Sequence, residues 1–195
     1  MHTHQPGQGE YFLLSVNGNT AAKYCSREFH PWHLPEKFVP LTDEFLEELK
    51  SCSALGEIGL DRLRGPDLMI QRRYLDVLLE AAQHFSLPVV IHNVRCESEI
   101  LSALRGFPNA VLFHGFRGGG KALEKLLEAG YFVSFSEISN VSMAAYLKAN
   151  GLHNTGIESD DTGISITDIA AGISRCLDID VTYNSINTFK RFLAI

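Results

Sequence analysis

A chain of 195 residues, 45% of them apolar, can bury one full core, yet it is short for an eight-stranded α/β barrel, which ordinarily takes roughly 250 residues. The formal charge of −6 excludes a general basic field that would gather nucleic acid, so a polyanionic substrate would have to be held by a local cluster of Arg, Lys or metal ions. Four scattered cysteines without a CxxC pair (Cys25, Cys52, Cys96, Cys176) argue against a disulfide framework or a thiolate zinc knuckle, and no apolar run approaches a membrane span. The expectation is one domain over 1–195 in the cytoplasm, with no leader, no membrane and no obligatory protein partner.

In chain order, the first third is irregular. A minimal strand is expected at 1–4, with further strands at 11–16, 22–29 and 54–59. Between the third and fourth, Thr42 can cap a helix over 43–51 whose first turn carries Asp43 and Glu44. A helix over 68–85 follows, with Leu75, Leu78, Leu79 and Ala82 on the stripe that faces a core.

From there the pattern is regular. Apolar strands over 87–92, 110–114, 131–136 and 156–160 end at intervals of 22, 22 and 24 residues, the length of one strand–loop–helix–loop unit. Their apolar runs are continuous rather than alternating, as in a parallel sheet buried on both faces. Ala122, Leu126 and Ala129 form a helical stripe stopped by Gly130, and Ile169, Ile173 and Leu177, then Ile186, Phe189 and Leu193, form two more. The strands number eight. The fold expected is an abbreviated (β/α)8 TIM-type barrel, with outer helices missing near the N-terminus because only short loops join the first three strands.

In such a barrel the C-terminal strand ends converge on one mouth. Those ends carry His2 and His4, Glu57, His92, His114 and Asp160. Imidazole and carboxylate are good ligands for zinc or manganese, and on a strand the two histidines of an HxH share a face. Each residue alone has a plain structural use: a solvated end for His2 and His4, a core hydrogen bond for His92 or His114, a helix cap for Glu57 or Asp160. Separate strand ends all bearing ligand-type residues favour a metal site, and six groups exceed what one tetrahedral ion needs.

The stretches HTH at 2–4, HPW at 30–32, GEIGLDR at 56–62, LPVVIHNVR at 87–95, VLFHGFRGG at 111–119, GYFVSFS at 130–136 and IESDD at 157–161, with Gln71 and the segment 187–192, resemble the TatD-related metal-dependent hydrolases, especially the shorter ones. The resemblance implies a divalent-metal phosphodiesterase, commonly described as a deoxyribonuclease, with two ions (Zn, Mn or Mg). By position, His2 and His4 would bind the first ion, Glu57 would bridge both, His92 and His114 would hold the second, and Asp160 would bind the first and orient the water. His30 would contact substrate. Met1 stands where family members usually have an acidic residue, and the continuation of GLD is shortened after Arg62.

Asp160 and Glu57 are thus the expected catalytic groups, and Arg95 and Arg117, which follow two histidine strands, are candidates for holding phosphate. The expected partner is a phosphodiester, DNA ends or short nucleotides. A second enzyme reading is amide or ester hydrolysis. That class often bridges its metals with a carbamylated lysine, and no lysine ends a candidate strand here. A degenerate binding protein is the alternative from a different class.

Overall fold

The structure is a computed structural model and describes residues 2–4, 13–16 and 22–195. Its strands are β1 (His2–Thr3), β2 (Leu13–Val16), β3 (Cys25–Arg27), β4 (Ala54–Asp61), β5 (Val89–Val94), β6 (Val111–Phe113), β7 (Phe132–Phe135) and β8 (Thr155–Ile157). They lie in one sheet in the order β1 to β8, and the pairings described are parallel. A parallel bridge between Thr3 and Asp160 links the last strand end to the first. This is the sheet of an eight-stranded α/β barrel. Residues 5–12 and 17–21, on which the β1–β2 and β2–β3 connections with their expected missing helices mostly fall, lie outside the described residues, as does the start of the strand expected at 11–16.

The chain forms two compact units, Ser15–Val111 and Met1–Leu14 with Leu112–Ile195. In the first, all eight residues of β4 are buried, because the strand is covered on both faces. Helix α1 (Asp43–Leu49) is capped by the Thr42 hydroxyl, which accepts from the Phe45 amide, and it buries Phe45 and Leu49. Helix α2 (Leu68–His84) packs on β4 and buries Leu75, Leu78, Leu79 and Ala82 of the expected stripe, with Tyr74 beside them. Helix α3 (Glu97–Ala103), for which no stripe was named but which fits the strand–loop–helix–loop interval, follows β5.

In the second unit, α4 (Gly120–Glu128) packs against β7 and against α5 (Val141–Asn150). Helix α6 (Ile166–Leu177) is capped by Ser165, whose hydroxyl accepts from the Asp168 amide, and buries Ile169, Ile173 and Leu177. Helix α7 (Thr182–Leu193) lies on β8 and buries Phe189 and Phe192. Among the described residues, no helix is long and apolar enough to cross a membrane.

Candidate metal centre

In the unit Ser15–Val111 the functional side chains are aimed by β4, β5 and the turn after β3. Register pairs Gly59 with His92. At Gly59, φ is +148°, and a Cβ there would stand 2.0 Å from the His92 carbonyl oxygen. Only glycine permits this approach. Glu57, two residues earlier, is 2% exposed.

His30 lies not on a strand but at the N-cap of a single 3-10 turn, Pro31–His33. Its Nδ1 accepts from the Trp32 amide at 3.1 Å, so in the neutral ring Nε2 carries the proton. That Nε2 lies 3.3 Å from His92 Nδ1 and 3.4 Å from Glu57 Oε2. His30 is therefore a donor towards this cluster rather than a metal ligand.

His92 has the opposite tautomer. Its Nε2 faces Asp61 Oδ2 at 3.2 Å and donates to it, which leaves a lone pair on Nδ1, 3.5 Å from Glu57 Oε2. A carboxylate holding the far nitrogen of an imidazole is the usual support for a histidine ligand. Asp61 is itself tightly held. The Trp32 indole N–H donates to Oδ2 at 2.5 Å, and the amides of Leu63 and Arg64 donate to Oδ1 at 2.7 and 3.1 Å. Burial works against the Asp61 charge, but the Trp32 indole, the Leu63 amide and His92 outweigh it and hold the carboxyl below its ordinary range. Buried Gln71 anchors the backbone, accepting from the Asp61 amide and donating to the carbonyls of Asp61, Arg64 and Pro66.

In the other unit, His2 Nδ1 and His4 Nε2 lie 3.8 and 3.6 Å from Asp160 Oδ1. His2 is buried in β1, whereas His4 lies just beyond it and is exposed. Asp160 lies past the end of β8 rather than in it, at φ +46°. Its amide donates to the His2 carbonyl at 3.3 Å, and the Ser159 hydroxyl donates to Thr3 Oγ1 at 2.8 Å, so the turn is fastened to β1. The His114 ring, just after β6, is 4.9 Å from that of His2.

Behind these histidines stands Glu158, which is wholly buried. The Ser134 hydroxyl donates to it at 2.6 Å, and the Gly115 amide also donates. Burial pushes its carboxyl up, and the opposing pull of His114 does not overcome this.

One ligand atom from each of His30, Glu57 and His92 lies within 4.8 Å of the others, and the same is true of His2, His114 and Glu158. The tautomers of His30 and His92 refine the first set. Glu57 and His92 are ligand candidates in one unit, and His2, His4, His114 and Asp160 in the other. This imidazole and carboxylate chemistry, without thiolate, fits a borderline divalent ion. Asp61, Glu158, Trp32 and the role of Gln71 were missed from the sequence, although GLD placed an acid four residues after Glu57 and ESD one two residues before Asp160. Arg95 and Arg117 are both exposed. Arg62 pairs with Glu99, and its Nε donates to the Arg95 carbonyl, so it is engaged rather than open at the mouth.

Comparison with known proteins bears on this arrangement. A family model described as TatD related DNase matches residues 15–161, which include Glu57, His92, His114 and Asp160. An uncharacterized metal-dependent hydrolase of Escherichia coli, YjjV, is 30% identical over 131 residues, 61% of this chain and 49% of that protein. An uncharacterized metal-dependent hydrolase of Haemophilus influenzae is 33% identical over 114 residues, 52% of this chain and 43% of that protein. The matched stretches thus span about half the length of these curated relatives or less. The crystal structure of the E. coli TatD homolog YjjV superposes with a TM-score of 0.72 at 20% identity, covering 95% of this chain and 87% of the other. A TatD family hydrolase from Entamoeba histolytica superposes at 0.60 and 17% identity, covering 78% and 65%. These likenesses show the barrel fold.

Proposed function

Because this chain belongs to the TatD related DNase family, we propose that it is a divalent-metal-dependent phosphodiesterase acting on the ends of short single-stranded nucleic acid. The observation that carries this reading is the Asp61–His92–Glu57 cluster, in which a buried carboxylate fixes the tautomer that turns Nδ1 of His92 towards Glu57. Such support is costly to build and suits a ligand better than a core histidine.

His2, His4, Glu57, His92, His114 and Asp160 would hold two ions, with Glu57 serving both as the resemblance implies. Bound divalent ions supply Lewis acidity, lowering the pKa of water towards neutrality and neutralising charge on phosphoryl oxygens. Asp160, whose side chain is 25% exposed, accepts the proton of the attacking water. The Nε2–H of His30 donates to a substrate oxygen, and Arg95 and Arg117 supply guanidinium groups to phosphate. The short pocket follows from charge: a chain at −6 repels a long polyanion, and loose binding of duplex needs many basic contacts. Free cysteines at 25, 52, 96 and 176 suit the reducing cytoplasm, where we place the protein.

The test is hydrolysis by Zn-, Mn- and Mg-loaded protein of a phosphodiester, a phosphomonoester and a carboxyl ester. The phosphodiester is expected to be turned over fastest, with Asp160→Asn lowering kcat and sparing KM. Turnover of the carboxyl ester alone would overturn the reading in favour of an amidohydrolase-type activity. Efficient nicking of closed circular DNA with steep salt dependence would overturn the short pocket.

A further inference from the structure

Beside the His30–Glu57–His92 cluster the chain builds a ledge that the chemistry above does not use. Trp32 is 38% exposed although it is the chain's only tryptophan, a residue type usually well covered. Its ring packs edge-on against His30 and His92, with centroids 4.7 and 5.6 Å apart, and its indole N–H is fixed by Asp61. Over it lies the guanidinium of Arg64, 4.4 Å from the ring centroid.

The loop that carries Arg64 is held in place. Asp61 accepts from the Arg64 amide, and Gln71 donates to the Arg64 carbonyl. The next residue, Gly65, has φ +86°, and a Cβ there would stand 2.4 Å from the Pro31 carbonyl oxygen, so the loop is pressed onto the turn that bears Trp32. Stacking occupies the face of a guanidinium and leaves its N–H edge available. Arg27, Arg62 and Arg72 have carboxylate partners in Glu48, Glu99 and Asp76, whereas among the described residues no carboxylate pairs with Arg64. A positioned, exposed guanidinium without a carboxylate, one ring away from His92, matches what a bidentate phosphate contact requires.

We propose that Arg64, stacked on Trp32, is a specificity clamp for a second phosphate of the substrate, the one a nucleotide away from the phosphate being cleaved. This rests on the phosphodiesterase reading and adds its substrate class: nucleotide chain ends that carry a further phosphate, in preference to simple diesters. An arginine–phosphate contact of this kind is worth about tenfold or more in affinity.

The sole tryptophan reports on the ledge directly. Dithymidine monophosphate (TpT) and its 5′- and 3′-phosphorylated forms (pTpT and TpTp) would be titrated into the 195-residue protein, with and without Zn2+, following Trp32 fluorescence and, independently, heat of binding. One phosphorylated form is expected to bind about tenfold tighter than TpT, and which one it is gives the polarity. Arg64→Ala should erase that gain, and Arg64→Lys should keep only part of it, since a point charge lacks the fork. Circular dichroism of each variant checks its folding. A gain that survives Arg64→Ala, or no gain for either phosphorylated form, overturns the clamp. Hydrolysis measured in parallel separates the two ideas. Turnover of TpT without an Arg64-dependent gain sinks the clamp alone. An Arg64-dependent gain without turnover of any diester supports the clamp and sinks the phosphodiesterase reading.

Discussion

The cluster on β4 and β5 and the cluster on β1, β6 and β8 use the same side-chain types but hold them by different means. In the first, every polar side-chain atom of Asp61 and Gln71 is held in a local hydrogen-bond network, and the strands meet through a glycine that tolerates no side chain. In the second, β1 is two residues long, His4 has a side chain 34% exposed, and the carboxylate–histidine distances are 3.6 and 3.8 Å. The supporting acids differ in kind as well. Asp61 is held charged by donors, whereas Glu158 is pushed towards its neutral form by burial. The first ligand set is thus preorganised by its local donors, whereas the second is held more loosely.

The strongest challenge to this contrast is Glu57→Gln. Removing one charge from a buried set costs about 3–5 kcal/mol, so metal content by elemental analysis should fall at least a hundredfold in affinity and activity with it. Unchanged metal content would show that Glu57 is not a ligand. Gly59→Ala comes next. A Cβ facing the His92 carbonyl, at a φ that side chains rarely adopt, should destabilise the protein by about 3 kcal/mol, read as a lower urea midpoint.

A paired comparison then sharpens the difference between the supporting acids. Asp61→Asn removes a charge that orients His92 and should weaken zinc binding about ten- to a hundredfold by calorimetry. Glu158→Gln replaces a carboxyl whose ionised form is disfavoured by burial with an isosteric amide, so the metal-free protein should lose less than about 1 kcal/mol. The two acids also predict opposite pH slopes in metal-free protein. A folded carboxyl below its unfolded value, as in Asp61, contributes stability above that value which is lost as pH falls. A raised one, as in Glu158, contributes stability at low pH which is lost as pH climbs above the ordinary glutamate range. Urea midpoints at pH 5 and pH 7 should therefore shift less with pH in Glu158→Gln than in the parent, and equal shifts would contradict a raised Glu158.

The smallest effects are expected where histidines lie away from either cluster. His84→Gln, in the last turn of α2, and His153→Gln, on an exposed turn, should change stability by less than about 0.5 kcal/mol and leave metal content intact. Loss of metal in either would relocate the centre.

Much of this was legible in residue order alone. Continuous apolar runs mark β5 to β8, because strands buried on both faces need apolar side chains at every position, and the helical stripes of α2 and α6 mark their buried faces, whereas α7 buries Ser185, Thr188, Phe189 and Phe192 and shares only Phe189 with the stripe expected. Residue type also named His2, His4, Glu57, His92, His114 and Asp160 as candidates, since metal chemistry restricts the choice to a few side chains. What the sequence left open was every relation across long separations. His30 and His92 are 62 residues apart, and only the register of the sheet and the turn at Pro31 bring their rings together and decide which nitrogen carries the proton. Asp61 lies beyond the strand expected at 54–59, and becomes the support of His92 through register with a residue 31 positions away. Glu158 and Asp160 read as strand, yet β8 ends at Ile157 because the chain turns at Asp160 to bond back to β1. Local pattern encodes which residues seek burial or can bind metal, whereas strand register and hydrogen-bond partners arise from non-local pairing that exists only once the chain has folded.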